Sequence, residues 1–589
     1  MFVALVFLLA LAAPPAGAAP PAGAGKHEPE PVPVIPFSQH DNKRLNETSA
    51  QTIFLKDAKV ADWIARYPSS RLTHESVFIS EGRYWRERVW DTKAGEIAEG
   101  RVDDASGKVT EAWTGPQVAW GMARGSPGAF GGKQINTLPV WLGFCALFLI
   151  GLGDLRRPFS LRNLDLLALL SFSVSLWFFN QGRVFSSASL VYPPLLYLFG
   201  RLLYVGLRGR PVAASRPVWP VWLLAAVTVF TIGFRIGLNI RDGNVIDVGY
   251  TGVIGADRIV SGVSPYGHFP AETLKGKTLP ACGPADSAGN VHDRVQPNGR
   301  CESVNPEGDT YGPVAYLVYI PGLELFGWSH KWDDLPAVRF TTILFDLLCI
   351  GGLALVGRRF GGARLAATLA FAWAAYPFTQ YVSNSNTNDA IAPAFLIWGF
   401  WLVSSPWARG TAVALAGWTK LSSLIVAPLW ATYPDALRLR GLGKTARFVA
   451  AFVLTSVAAL SVLLLEPNLG KSISTFWNKT FERQLNRDSP FSLWDWRQYH
   501  AAGLPDLHLV QIALIVVVLA LAIASAFYPR RRSPLQLAAL SGALLVGFEL
   551  VLTYWFYTYI VWFFPFAAIA LLAGAKGIVQ ARRDAEQIT

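Results

Sequence analysis

Residues 530–553 read RRRSPLQLAALSGALLVGFELVLT. Arg530, Arg531 and Arg532 precede an apolar run, Leu535 to Thr553, interrupted by one carboxylate, Glu549. A run of about 20 apolar residues matches the hydrocarbon thickness of a bilayer. Arginines at the end of such a run mark the cytoplasmic side. Runs of this kind recur along the chain. Spans are expected at 138–153, 165–180, 188–206, 219–239, 336–356, 363–382, 389–404, 409–419, 421–434, 446–466, 508–528, 535–553 and 556–575. The short pair around Lys420 reads either as a re-entrant hairpin or as one long helix.

The composition agrees with that pattern. Of 589 residues, 52% are hydrophobic and only 16% are charged. Soluble proteins carry about 25% charged residues. This excludes a disordered chain and argues against an ordinary cytosolic enzyme. The net charge of +12 suggests nucleic-acid binding until it is mapped. Much of the excess sits in short loops between apolar runs. These hold Arg156, Arg157 and Arg162; Arg201, Arg208, Arg210 and Arg216; Arg358, Arg359 and Arg364; Arg438, Arg440, Lys444 and Arg447. An extracytoplasmic start places all of them, with Lys576, Arg582 and Arg583, in the cytoplasm. Two large polar loops, 239–336 and 467–508, then face outside. An apolar stretch inside the first, Pro313 to Phe326, reads as a helix lying in the membrane plane.

Residues 1–24 read as a signal peptide or anchor, with Ala16-Gly17-Ala18 and Ala22-Gly23-Ala24 as cleavage-like sites. Residues 25–49 are a Pro-rich linker. Residues 50–133 form a small α+β extracytoplasmic domain. An amphipathic helix is expected over Phe54–Tyr67 and strands over 75–80, 84–90, 96–102 and 108–113. Turns fall at Lys93-Ala94-Gly95 and Asp104-Ala105-Ser106-Gly107. One helix and a meander resemble a PepSY-type module, which implies a binding or regulatory appendage. Three accessory spans (134–218), a main membrane module (219–575) and a cytoplasmic tail (576–589) follow. Cys145 and Cys349 lie in apolar runs as core residues. Cys282 and Cys301 share the first polar loop and are expected to form a disulfide if that loop is extracytoplasmic.

The apolar spans are poor in acids, Asp346 and Glu549 being the main exceptions, and polar residues concentrate in the outer loops. That favours a site at the outer surface. The first loop carries Asp247, Tyr250 and Gly262-Val263-Ser264-Pro265-Tyr266. It continues to Tyr311-Gly312-Pro313-Val314-Ala315-Tyr316. Gly417-Trp418-Thr419-Lys420 falls on the same side. In this order these elements resemble the GT-C superfamily of polyprenyl-phosphate-sugar glycosyltransferases, and its glycosyltransferase 87-like members in particular. The resemblance covers roughly residues 219–575.

It implies an all-α polytopic fold, which the apolar runs above make one of about 13 transmembrane helices. It also implies direct, inverting transfer of a sugar, mannose or arabinofuranose, from a polyprenyl-phosphate donor. The acceptor would be an envelope glycolipid or polysaccharide on the extracytoplasmic face. Such a reaction needs one carboxylate to take the acceptor proton and cations where charge develops on phosphate. Asp247 is the expected base. Lys420, Arg258, Arg483 and Arg487 are the expected phosphate ligands; a snorkelling anchor is the lesser reading of Lys420, and the loop that holds Arg483 and Arg487 equally suits an interfacial amphipathic helix. Tyr250, Tyr266, Tyr311 and Asn386 are candidates for the sugar, and Asp257 and Asp309 for further polar contacts. Asp333-Asp334 is an alternative acidic pair. No cofactor is demanded, and a divalent cation is compatible with the reaction. The rival class is a lipid-linked-sugar transporter or an assembly scaffold, which would tolerate Asn at position 247.

Overall fold

In the computed structural model the described residues run from 43 to 573. Residue 81, segments 126–129, 210–218, 268–272, 275–276, 279–292, 296–300, 304–307, 329–334 and 439–440, residues 486 and 488, and segment 497–505 are not among them. Asp333, Asp334, Cys282 and the terminal segments therefore lie outside the described residues, and so does the Cys301 side chain. Cys145 is half-buried and Cys349 is buried. The chain divides into two compact units. One holds Met1–Ser126, Ser173–Val191 and Asp488–Val510; the other holds Pro127–Phe172, Tyr192–Arg487 and Gln511–Thr589.

In the first unit, α1 (Glu47–Leu55) and α2 (Ala58–Ile64) stand where one helix was expected. The break has a local cause. Asp57 accepts hydrogen bonds from the Lys59 and Val60 amides, which starts a new helix at that point. Strands β1 (Leu72–Ile79), β2 (Tyr84–Asp91), β3 (Gly95–Asp103) and β4 (Val109–Thr114) form an antiparallel meander in chain order. Gly95 and Gly107 take φ of 77° and 65°, values that L side chains resist. Alternation along the strands sends Trp85, Val89, Ala98 and Val102 into a core with Phe54, Val60 and Trp63. Arg88 instead pairs with Glu75 and Glu96, both at 3.4 Å.

Glu87 is an acid on the core side of that sheet. It is 2% exposed and accepts the Ser76 hydroxyl at 2.6 Å. Burial pushes its carboxyl up to about 7, and burial does the same for Glu96. A raised folded pKa contributes stability that is present below the ordinary value of 4.5 and is lost as pH rises through about 7. Asp91 has the opposite sign. Arg71, bonded to it at 2.6 and 2.7 Å, holds its carboxyl down to about 2, so that contribution is lost only in strong acid. Hydrogen exchange of the β2 and β3 amides should therefore speed up between about pH 5 and pH 8 beyond the intrinsic rate change. Glu87→Gln should flatten the trend; an unchanged slope in the variant would refute the assignment.

The helices continue as α3 (Leu138–Leu152), α4 (Leu161–Asn180), α5 (Val184–Arg208), α6 (Val221–Asp242), α7 (Asp247–Val260), α8 (Ile320–Phe326), α9 (Pro336–Ala375), α10 (Pro377–Asn384) and α11 (Ile391–Trp401). They end with α12 (Pro406–Gly417), α13 (Leu442–Leu460), α14 (Leu469–Trp477), α15 (His508–Ala524), α16 (Pro534–Val551) and α17 (Ile560–Leu572). Among the described residues, six helical stretches are long and apolar enough to cross a membrane: α4, α5, α6, α9, Leu442–Leu465 and α16. The other expected spans are shorter helices. The chain thus has the build of a multi-pass membrane protein.

Helix α9 breaks at Gly362 (φ 71°), between the expected spans 336–356 and 363–382, and its second half folds back; a Cβ on Gly357 would lie 2.5 Å from the Ala366 nitrogen. Two further details correct or narrow the expectation. The stretch Pro313–Phe326 is not one surface helix but two short ones, with Tyr316 and Tyr319 fully buried. Around Lys420 the chain is extended (φ −139°, ψ 116°) and a 3-10 turn, Leu421–Val426, follows, so no single long helix forms there.

The second unit contains a charge pair deep among its helices. Arg235 of α6 bonds Asp346 of α9 through two nitrogens at 2.6 and 3.1 Å. Its third nitrogen donates to the Ala374 carbonyl and Thr379, and Trp373 donates to Asp346 at 2.7 Å. Arg532, from the arginine triplet before α16, donates to the Leu429 carbonyl and Thr432. One of those three arginines is therefore a buried cap rather than a loop charge.

Candidate functional site

Asp247 is the first residue of α7, whose partial positive end favours an anion. The strand of chain leading to it is tied to the turn between α10 and α11. The Asn244 amide donates to the Asn384 carbonyl at 2.8 Å and the Ile246 amide to the Ser385 carbonyl at 3.2 Å. Asn386, at φ 50°, closes the tie by donating to the Asn244 carbonyl at 2.9 Å and accepting from Asn239 at 3.0 Å. The same turn ends on Asp389, so the two carboxylates are placed by one backbone junction.

Helix α7 comes close to its neighbours because glycines repeat every third residue. A Cβ on Gly249 would lie 2.2 Å from the Asn386 carbonyl oxygen. On Gly252 it would meet the Tyr319 ring at 2.4 Å, and on Gly255 the Tyr316 ring at 2.2 Å. Gly252→Ala should cost about 1–3 kcal/mol in thermal unfolding, as overpacking does. Gly237→Ala, on a helix face with nothing within 4 Å, should not destabilise. Equal melting of both variants would contradict this packing.

Lys420 faces this junction. Gly312 lies against the Trp418 carbonyl, which also accepts the Val314 amide at 3.2 Å, so Tyr311 is held beside Lys420. The Lys420 ammonium is 3.1 Å from Asp389 Oδ1 and 4.6 Å from the Tyr311 ring centroid. Tyr559 and Trp562 flank it at 5.9 and 5.8 Å. Trp562 also donates to Asp389 Oδ1 at 3.1 Å. Arg487 lies flat on Tyr554, its guanidinium carbon 3.6 Å from the ring centroid. Asp247 is within electrostatic reach of Tyr311, Lys420, Arg487 and Tyr554. Burial, then the charge of Asp247, pushes the Tyr311 phenol well up. The result is two carboxylates and two cations in a half-buried setting walled by Tyr311, Tyr554, Tyr559 and Trp562.

Of the residues expected from sequence, Asp247, Tyr311, Lys420 and Arg487 meet here. Others have a different task. Tyr266 is 2% exposed, packs on Phe476 at 4.9 Å and donates to the Tyr311 carbonyl; it is a core residue, not a ring open to a sugar. Asp309 is fully buried, accepts the Gly267 amide at 2.8 Å and stands 3.6 Å from Lys479. Arg258 sits in the fields of Asp257 and Asp309, so it belongs with that loop anchor rather than with Lys420. Asn386 is fully buried and spends its amide on backbone. Tyr250 is 6% exposed against Trp328, and Arg483 is exposed on a short helix.

Tyr554, Tyr559 and Trp562 carry no signal in the sequence; Asp389 closes the polar stretch Asn384–Asp389 between two spans, whose amides are the residues expected to meet a sugar. Among the described residues no three or more His, Cys, Asp or Glu side chains are grouped to hold a metal ion.

No family model and no curated protein matches the chain. Among solved structures, the crystal structure of ArnT from Cupriavidus metallidurans bound to undecaprenyl phosphate is similar. The match has 17% identity and a TM-score of 0.38, and covers 62% of this chain and 63% of that one. The chain thus spans less than two thirds of that structure's length.

Proposed function

We propose that the chain is an integral membrane glycosyltransferase that moves a sugar from a polyprenyl-phosphate donor to a glycolipid or polysaccharide hydroxyl on the extracytoplasmic face. The observation that carries this reading is the meeting of Asp247 and Asp389 with Lys420 and Arg487 in one aromatic-walled site. In the proposed step Asp247 takes the proton of the acceptor hydroxyl. The hydroxyl oxygen bonds to the anomeric carbon as the carbon–oxygen bond to phosphate breaks, with inversion. The electron pair leaves with polyprenyl phosphate, and Lys420 and Arg487 offset its charge. Asp389 keeps Lys420 charged and in place. Mannose and arabinofuranose are the donors in keeping with the sequence resemblance, and glycosyltransferase 87-like is the subfamily.

The transporter alternative needs a polar path through the bundle. The ion pair Arg235–Asp346, deep among the helices, is saturated by its neighbours, which favours the enzyme. The test is transfer by purified protein from a panel of radiolabelled polyprenyl-phosphate sugars, with envelope lipid extract as acceptor. Labelled product from one donor is expected. Donor bound and moved across vesicles without a new glycosidic bond would establish the transporter instead.

A further inference from the structure

Six aromatic side chains crowd residues 554–562, which lead from the end of α16 into the first turn of α17. They fall into two sets. Trp555, Phe556 and Tyr557 are buried. Trp555 donates to Glu549 at 3.0 Å, Phe556 meets Phe130 at 5.2 Å and Tyr557 stacks on Phe378 at 6.5 Å. These three fasten the stretch to the interior. Tyr554 and Tyr559 are half-buried, and with Trp562 they touch the charged side chains of the site.

A continuous set of contacts runs through the second set. The Trp562 indole donates to Asp389 Oδ1 at 3.1 Å, and the Lys420 ammonium lies 3.1 Å from that same oxygen. The Tyr559 ring stacks on Trp562 at 4.0 Å, 18° from parallel, and its centroid is 6.4 Å from that of Tyr554. Arg487 covers the Tyr554 ring at 3.6 Å. Lys420 and Arg487 are distant in sequence, yet one short stretch of chain touches both. Long cationic side chains have large rotamer freedom. A cation offsets charge on phosphate best when its place is set before the ligand arrives. A bonded carboxylate and an aromatic face both restrict that freedom.

We infer that Tyr554, Tyr559 and Trp562 are positioning residues that space the two cations for the phosphate of the lipid-linked donor. This rests on the glycosyltransferase reading above. Trp562 holds Lys420 through Asp389, and Tyr554 holds Arg487 on its ring face. Tyr559, in contact with both rings, joins the two arms. The three act through the cations and take no part in proton transfer.

The experiment is a set of double-mutant cycles on the purified full chain in lipid nanodiscs, read as binding of polyprenyl phosphate. Tyr554→Leu should weaken the probe about five- to tenfold, and Tyr554→Phe, which keeps the ring, about twofold. Trp562→Phe removes the N–H and keeps a ring; it should weaken the probe about three- to tenfold. Lys420→Ala and Arg487→Ala each leave one cation, so their weaker binding stays measurable. Tyr554→Leu should cause no further loss in the Arg487→Ala protein, and Trp562→Phe none in the Lys420→Ala protein. Tyr559→Leu should lose part of its effect in each.

A ring variant that weakens the probe by the same factor with and without its cation acts on the fold at large, and that result overturns the positioning role. So does a ring variant that binds like wild type, or a Tyr554→Phe protein as weak as Tyr554→Leu. In each of those cases wild type still binds the probe, and the glycosyltransferase reading stands. Wild type that does not bind polyprenyl phosphate overturns that reading, and the positioning role with it.

Discussion

Asp247→Asn is expected to lower sugar transfer by about 10²–10⁴-fold, the usual contribution of a positioned general base. Binding of the lipid phosphate should change by no more than about twofold, because Lys420 and Arg487 carry it. The substitution keeps the side chain's shape and removes its negative charge together with its capacity to take a proton. Asp247 opens α7, and its approach strand is bonded to the Asn384–Asn386 turn by backbone groups, so the variant should fold. Single-turnover transfer and lipid binding, measured on the same preparation, separate the two effects. Full transfer by the variant would remove Asp247 as the base and move the role to Asp389, the other carboxylate of the site. Loss of binding along with transfer would instead mean that Asp247 organises the cations.

The second large effect concerns folding. Asp346→Ala should destabilise the helical unit by about 3–5 kcal/mol, because it strands the Arg235 charge in an apolar interior. Arg235 is 1% exposed, and it bridges Asp346, the Ala374 carbonyl and Thr379. The network therefore joins α6, α9 and α10 at one point. Loss of monodisperse protein on gel filtration and a lowered melting temperature are the expected readouts. The double substitution Arg235→Met with Asp346→Leu should recover much of the loss, since replacing a buried pair by apolar side chains is often neutral. A single variant that melts with wild type would show that the pair contributes nothing.

Much of the site could be read without coordinates because it follows chain order. Asp247 lies just beyond an apolar run, Tyr311-Gly312-Pro313 opens the next apolar stretch, and Lys420 separates two short ones. Arg487 lies in a basic and aromatic loop between two apolar runs. The resemblance that grouped them needed only order and sidedness. It could not distinguish Asn386 from Asn388, which have the same chemistry two positions apart. One is bonded to the Asn239 side chain and the Asn244 carbonyl; the other's amide has no partner among the described residues. Nor could it find Trp562, which reaches Asp389 across 173 positions.

By itself the sequence determined the class of the protein. Its apolar runs set which helices are long and apolar enough to cross a membrane, because the cost of burial is met residue by residue along the chain. Gly95, Gly107 and Asp57 likewise act through their own local backbone. Tertiary structure alone decided which polar groups meet. Asp389 became the partner of Lys420, and Tyr266 and Asp309 became interior anchors. Each of those outcomes depends on distances between segments far apart in sequence. Close approach of the kind made at Gly249, Gly252 and Gly255 sets such distances, and no local propensity encodes them.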